Sequence, residues 1–175
     1  PPYRPVPPYR PVPSMRHHGA VTTPPGWTPI RAETVDGVTL AGVCCAGPAS
    51  STDSQAHRPA GASRVAFVIA HGLTHDTAAA GTRRVIAAFA RHGMVVALDF
   101  RGHGRSGGRT SVGRDETMDL DAAVSVARSL TAGPVVVVGF SLGGAVALRH
   151  AAIGAQPPDA VVSVSAPSRW YLRHT

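Results

Sequence analysis

The chain has 175 residues, 43% of them hydrophobic, with a mean hydropathy of +0.04, which is typical of one globular domain and not of membrane or disordered chains. The formal net charge of +7 comes entirely from arginine, and four arginines (Arg4, Arg10, Arg16 and Arg31) lie in the first 31 residues, where no acidic residue occurs. The remainder is close to charge balance, so the composition does not favour nucleic-acid binding, which needs a basic face on a folded module.

Residues 1–28 form a proline-rich and arginine-rich tail that opens with two copies of the unit PPYRPV. Proline favours extended polyproline II over packed structure, so we expect this tail to be disordered. It contains a minimal PxxP pattern at Pro2 to Pro5, but so short a pattern recurs by chance, and an inert tail is the favoured interpretation. Met15 is an alternative start that would exclude the repeat. The tail lacks the apolar core of a signal peptide, and no apolar run approaches the ~20 residues of a membrane span, so a cytoplasmic protein is expected.

An antiparallel hairpin is predicted between Ala32 and Cys45. The pair Asp36-Gly37 stands between two runs of β-forming residues, which is the strongest short pattern for a hairpin. Cys44 and Cys45 end this segment, and because adjacent cysteines rarely meet disulfide geometry, no oxidised framework is expected. The hairpin therefore opens a folded domain of residues 29–175 in a reducing compartment.

The rest of the chain alternates between continuously apolar runs and amphipathic stretches. After a polar loop over 47–63, the apolar runs predict strands buried on both faces, and the stretches between them predict helices. Strands are expected at Val65–Ala70, Met94–Phe100, Val135–Val138 and Ala160–Ser165, and helices at about Thr77–Arg91 (with Val85, Ala88 and Phe89 on its apolar side), Asp115–Leu130 and Ser141–Ile153. This order predicts an α/β fold, a mostly parallel sheet with helices on both faces and right-handed crossovers.

A serine stands where one buried strand is predicted to turn into a helix. The segment from Gly139 to Gly143 reads G-x-S-x-G, with Ser141 at its centre. Because this turn brings backbone against backbone, glycines are expected two residues either side of the serine, whose Oγ then projects above the sheet edge. The helix N-terminus also favours developing negative charge, so the pattern predicts a nucleophile at Ser141.

With this motif in place, the chain from about Ala32 onward resembles the α/β-hydrolase superfamily. Three motifs follow in that family's order: His71-Gly72, then Asp99-Phe100-Arg101-Gly102-His103-Gly104-Arg105-Ser106, then the segment around Ser141. The resemblance implies that Ser141 is the acyl-accepting nucleophile of an esterase-like or lipase-like enzyme. It also implies an oxyanion hole formed by the backbone N–H groups of Leu142 and Leu73.

Other residues in these motifs are expected to have structural roles. Gly102 to Gly107 matches G-x-G-x-x-G, but a dinucleotide fingerprint opens directly into a helix, and here a polar segment intervenes. Asp99, Arg101 and His103 are therefore expected to brace loops near the site, and His71 and His75 to line it without acting as the catalytic base. No cofactor and no metal is predicted.

The catalytic acid and base are not found among the residues after Ser141. A serine hydroxyl needs a histidine to take its proton and a carboxylate to orient that histidine. Asp159 precedes its strand, His150 lies within a helix, and His174 comes before any strand that positions it. The sequence thus resembles the N-terminal two thirds of a hydrolase, with about six of the family's eight strands.

Two classes of function remain open at this point. In the first, the complete protein is a serine hydrolase that cleaves a small to medium ester, thioester or amide through an acyl-enzyme. In the second, the chain is a non-catalytic α/β-hydrolase-like fragment or binding module that keeps the pocket without turnover. The sequence predicts neither the substrate nor the oligomeric state.

Overall fold

The structure is a computed structural model that describes residues 24–47 and 65–167. The elements in these ranges are β1 (Trp27–Glu33), β2 (Thr39–Cys45), β3 (Ala66–Ala70), α1 (Ala80–Phe89), β4 (Met94–Leu98), α2 (Glu116–Leu130), β5 (Val135–Phe140), α3 (Leu142–Ile153) and β6 (Ala160–Val164). Most of the predicted tail and of the predicted loop over 47–63 lies outside the described residues, as does His174. Within the described ranges, no helix is both long and apolar enough to cross a membrane.

All six strands of the described ranges form one sheet in the order β1-β2-β4-β3-β5-β6. The pairs β1–β2 and β2–β4 are antiparallel, whereas β3 pairs in parallel with both β4 and β5, and β5 pairs in parallel with β6. The sheet is therefore mostly parallel and opens with a hairpin, which confirms the fold class predicted from the sequence. Because β3 to β6 run the same way, the residues that follow each of them meet at one edge.

Helices cover both faces of the sheet, and the alternation of side chains along each strand explains how. On β3, Ala66, Val68 and Ala70 face a core that includes residues of α2 and α3. Phe67 and Ile69 face a second core that contains Ile86 of α1. A strand buried on both faces reads as a continuous apolar run, which is why the sequence predicted these strands.

The hairpin begins earlier than predicted. Trp27 pairs with Cys45 and Thr28 with Cys44, so two residues assigned to the disordered tail belong to a strand. Strand β1 therefore starts two residues before the predicted start of the folded domain at residue 29, because the pairing with β2 continues to Trp27. Gly37 has a φ of +82° in the connection, a conformation that glycine adopts without steric cost.

Helix α1 and strand β4 are both shorter than predicted, and a side-chain hydrogen bond explains each difference. The carboxylate of Asp76 accepts the N–H groups of Ala78 and Ala79, which holds that segment in a turn, so the helix starts at Ala80 and not near residue 77. Its fully buried residue is Ile86, which the predicted apolar side did not include. After Leu98 the N–H of Asp99 still donates to the carbonyl of Ala41 on β2, but the N–H of Phe100 donates to the ring of His71, and the strand does not continue.

Arg101 joins three parts of the fold below the surface. Its guanidinium lies 2.8 Å from a carboxylate oxygen of Asp119 on α2 and 2.8 Å from one of Asp36 in the hairpin turn, and its own side chain is only 5% exposed. The hydrogen bond from Arg101 lowers the pKa of Asp36, whereas burial raises the pKa of Asp119. The charge on Asp119 therefore depends on the guanidinium beside it.

We predict that Arg101→Leu lowers the free energy of unfolding by about 3–5 kcal/mol, because it leaves the buried Asp119 carboxylate without a counter-ion. The double variant Arg101→Leu/Asp119→Asn is expected to regain part of the loss, since it removes the uncompensated charge. Urea denaturation of both variants measures this. A double variant that is less stable than Arg101→Leu alone would show that the charge pair is not the cause.

Candidate active site

Ser141 stands in a strained turn between β5 and α3. Its φ of 51° and ψ of −115° lie in a region that costs a non-glycine residue about 1–3 kcal/mol. Its N–H donates to the carbonyl of Val164 at 2.9 Å, which ties the turn to β6. The residue is exposed, and its hydroxyl has no capping hydrogen bond to α3. Strain of this kind persists where the surroundings impose it, and it presents the serine Oγ at the edge of the sheet.

Two glycines make this turn sterically possible. A Cβ on Gly139 would fall on the carbonyl of Gly143 and 2.7 Å from the Cα of Gly144. A Cβ on Gly143 would fall on the carbonyl of Ala70 and 2.7 Å from the carbonyl oxygen of His71. Real Cβ atoms essentially never approach backbone atoms so closely. The first turn of α3 therefore packs directly against the backbone at the end of β5 and at the end of β3.

The loop after β3 lies directly beside Ser141. The point where a Cβ of Gly72 would stand is 3.5 Å from the Cβ of Ser141 and 3.7 Å from Nδ1 of the exposed His75. The N–H of His75 donates to the carbonyl of Gly72 at 3.1 Å and closes a tight turn around Leu73. Leu142 follows Ser141 as the first residue of α3, where backbone N–H groups have no partner within the helix. The two predicted oxyanion donors thus belong to the residues that directly follow Gly72 and Ser141, Leu73 and Leu142.

His71 connects the loops after β3 and β4. Its Nε2 accepts the N–H of Phe100 at 2.9 Å, so its Nδ1 carries the proton and donates to the carbonyl of Gly72 at 2.8 Å. The ring is 2% exposed, and this burial lowers the pKa of His71. Both ring nitrogens are satisfied in the neutral form, so His71 has no free nitrogen with which to act as a base toward Ser141.

The carboxylate of Asp99 organises the loop after β4. It accepts the N–H of Thr77 at 2.6 Å and that of Arg105 at 3.1 Å, although Asp99 is only 1% exposed. Gly104, at a φ of +50°, lies so close that a Cβ there would collide with this carboxylate. The N–H of Gly102 donates to the carbonyl of Gly107 at 2.9 Å, so the glycine-rich segment folds on itself and does not open into a helix. This geometry does not favour a dinucleotide site.

Glu116, which the sequence analysis did not single out, fixes the next part of the same loop. Its fully buried carboxylate accepts the hydroxyl and N–H of Ser111 at 2.7 and 2.8 Å and the N–H of Gly113 at 2.7 Å. Burial raises the pKa of Glu116, but the hydrogen bonds from Thr110 and Ser111 outweigh it, so the pKa lies below its usual value. Ser111 lies five residues before Glu116, which is not the three-residue spacing of a capping box, so that pattern did not reveal this role.

The other acid and histidine considered after Ser141 lie away from it. Asp159 accepts the N–H of Val135 at 2.7 Å, at the start of β5 and thus at the opposite edge of the sheet, and this hydrogen bond lowers the pKa of Asp159. His150 is fully buried and lies 2.9 Å from Asp121 between α3 and α2. In residues 24–47 and 65–167, no group of three or more His, Cys, Asp or Glu residues could hold a metal ion.

Comparison with known proteins gives consistent matches. A model described as "Alpha/beta hydrolase family" matches residues 67–174. An esterase of Pyrococcus furiosus superposes with a TM-score of 0.65 at 29% identity, covering 81% of this chain and 51% of the esterase, so this chain spans about half the length of that enzyme. A serine hydrolase without a lid from Xanthomonas campestris gives a TM-score of 0.68 at 22% identity, covering 87% of this chain and 67% of that protein, and supports the fold alone.

We predict that Gly143→Ala destabilises the protein by about 1–3 kcal/mol or more, because the new methyl group must displace the backbone of Ala70 or α3. The matched control is Gly81→Ala in α1, where nothing lies within 4 Å of the added Cβ. That control should instead raise stability by up to about 1 kcal/mol through better helix propensity. Equal effects of the two variants in thermal denaturation would contradict the steric account of the turn.

Proposed function

This chain belongs to the alpha/beta hydrolase family, and from that premise we propose that Ser141 is the nucleophile of a serine hydrolase. In this proposal the full-length enzyme cleaves an ester, thioester or amide of small to medium size. The Ser141 Oγ attacks the acyl carbon, the alcohol, thiol or amine leaves, and water then hydrolyses the acyl-enzyme. The Pyrococcus protein, which is 29% identical to this chain, is an esterase. An ester is therefore the first substrate to test.

The backbone of Ser141 is the single observation that carries the proposal. A φ of 51° at a serine is unfavourable, and the chain maintains it with two glycines whose replacement would collide with backbone. A Gly-Ser-Gly turn without chemistry has no need of this strain, since a glycine at position 141 would relieve it. The strained exposed serine at a strand-to-helix turn is the arrangement that presents a nucleophile in this family.

Stabilisation of the oxyanion is assigned to two backbone groups. The N–H of Leu142 lies at the N-terminus of α3, where the helix dipole also favours negative charge. The N–H of Leu73 belongs to the peptide that follows Gly72, and the carbonyl of that same peptide is held from the other side by His71 and His75. Donors of this type contribute about 3 kcal/mol each when they are aimed at the tetrahedral oxyanion.

The two cysteines do not compete with Ser141 for the role of nucleophile. Cys45 is buried, and burial raises the pKa of its thiol to about 12. Burial also raises the pKa of Cys44. Both thiols therefore stay protonated at neutral pH, and a protonated thiol is a poor nucleophile.

We infer that the general base and its carboxylate partner come from residues outside the described ranges. Within those ranges Ser141 has no histidine at hydrogen-bond distance, although the exposed His75 lies nearby. The same observation favours the second candidate function, a binding module that keeps the fold without turnover. Covalent labelling of the serine distinguishes the two, because an alcohol without a base reacts slowly.

We expect a fluorophosphonate probe to label the full-length protein at Ser141, and Ser141→Ala to abolish both labelling and hydrolysis of p-nitrophenyl esters. Because members of a catalytic triad act as a unit, the expected loss in kcat is on the order of 10⁶-fold. Mass spectrometry of the labelled peptide and initial hydrolysis rates measure the two effects.

The control for this experiment is Ser129→Ala, an exposed serine in the last turn of α2 at the opposite edge of the sheet. It should leave labelling and hydrolysis unchanged. Hydrolysis that persists in Ser141→Ala would reject Ser141 as the nucleophile, and a wild-type protein that neither labels nor hydrolyses would favour the binding module.

A further inference from the structure

We propose that His103, as a doubly protonated imidazolium, is a positioning residue that clamps the oxyanion loop beside Ser141. Its Nε2 lies 2.6 Å from the carbonyl oxygen of Leu73, and its Nδ1 lies 3.1 Å from the carbonyl oxygen of Arg101. The first carbonyl belongs to the loop after β3 and the second to the loop after β4. The ring therefore bridges two loops that share no sheet hydrogen bonds.

The chemistry of the two contacts requires the charged form. A carbonyl oxygen only accepts, so each nitrogen must carry a hydrogen for both contacts to be hydrogen bonds. Neutral imidazole has one N–H and one nitrogen lone pair. In that form the unprotonated nitrogen of His103 would direct its lone pair at a lone pair of a carbonyl oxygen, which is repulsive. Imidazolium has two N–H donors and satisfies both contacts. Hydrogen bonds from an ionised donor are also shorter and stronger, in accord with the 2.6 Å contact.

The neighbouring histidine has the complementary requirement. The ring of His71 lies 5.1 Å from that of His103, in an edge-on arrangement. His71 is satisfied as a neutral ring, because one of its nitrogens accepts an N–H and the other donates to a carbonyl. Burial is the main cause that lowers the pKa of His71; its hydrogen bond to Gly72 opposes this, and the neighbouring His103 lowers the pKa further. In this arrangement the two rings carry one positive charge between them, and it lies on His103, whose two contacts both need a donor.

Several other charged and titratable groups lie in the loops around the two histidine rings. The charged and titratable groups of the segments packed around the two rings are His71, His75, Asp76, Asp99, Arg101 and Arg105. The guanidinium of Arg101 is directed away, to Asp36 and Asp119. Asp76 and Asp99 both lie against Gly104, the residue after His103.

The clamp acts on the loop that supplies the proposed Leu73 donor, and in this respect the inference rests on the proposed function. By holding the carbonyl of Leu73, the imidazolium fixes the turn from Gly72 to His75 against Ser141. Both contacts need a ring proton, so the clamp is expected to loosen when a rise in pH removes one of them. The enzyme would then lose part of its oxyanion stabilisation without losing its nucleophile.

The first test does not depend on catalysis. Long-range ¹H–¹⁵N spectra of the ¹⁵N-labelled protein report which ring nitrogens carry protons, with His103→Gln used for assignment. At a pH where the exposed His92 is fully protonated, we expect two protonated nitrogens on His103 with ring protons protected from solvent exchange, and on His71 a proton at Nδ1 alone. An unprotonated nitrogen on His103 under those conditions, or ring protons that exchange as fast as those of His92, would overturn the clamp.

The second test measures the rate of fluorophosphonate labelling as a function of pH in the full-length protein. We expect His103→Ala to label about tenfold more slowly than wild type at pH 6. This effect is smaller than the loss of about 10²–10³-fold in kcat when an oxyanion donor is removed, because the variant keeps the donor and loses only its support. The ratio of the two rates should approach one as the pH rises. His103→Gln keeps one donor without the charge, so its rate should lie between them and lack this pH-dependent component. His92→Ala, in the turn before β4 at the opposite edge of the sheet, is the matched control and should equal wild type at every pH.

A rate ratio that stays constant with pH would show a merely structural role for His103 and overturn the proposal. If wild type does not label at Ser141, the proposed function fails, but the spectra still decide whether the imidazolium clamp exists. If His103→Ala does not fold, His103→Gln and the wild-type spectra retain the test.

Discussion

The close approach of backbone to backbone where β5 turns into α3 is the constraint on which the candidate site depends. Gly139 and Gly143 permit it, and Gly144 continues it, since a Cβ there would lie 2.8 Å from the Oγ of Ser163 on β6. Because the start of α3 packs so closely against β3 and β6, the residue that precedes the helix is forced into an unfavourable backbone conformation. Ser141 occupies that position, so its exposure follows from how the helix packs and not from a preference of the serine itself.

Buried side chains replace sheet hydrogen bonds where the parallel strands end. Beyond Ala70 and Leu98 the backbone still needs partners, because an unpaired buried N–H costs about as much as a lost hydrogen bond. Asp99 accepts N–H groups from two loops, and His71 accepts one and donates to a carbonyl of another. Ser106 adds a link to β2, since its hydroxyl accepts the N–H of Ala41 at 2.9 Å. The loops beside Ser141 are thus held by polar side chains fixed in the interior, which gives the site a defined geometry without regular secondary structure.

Charge is distributed unevenly among these loops. Arg101 is committed to Asp119 and Asp36, and Glu116 is satisfied by hydrogen-bond donors of its own loop. Of the two adjacent imidazoles, His71 is matched to the neutral form and His103 has contacts that suit the charged form. In the proposed arrangement, a positive ring in contact with the carbonyl of Leu73 would complement the negative charge that develops when a substrate carbonyl is attacked, as the N-terminus of α3 does.

The sequence by itself determined the alternation of buried strands and amphipathic helices, the hairpin at Asp36-Gly37 and the serine between two glycines, because these depend on local spacing and steric demands. From them the mostly parallel sheet followed, and so did the position of Ser141 at its edge. Only the tertiary structure decided which distant residues meet. The partners of Arg101 lie 65 and 18 residues away, and the carbonyl above His103 lies 30 residues away. Local patterns hold no information on such pairings, since these contacts form only after the sheet has brought the loop ends to one edge.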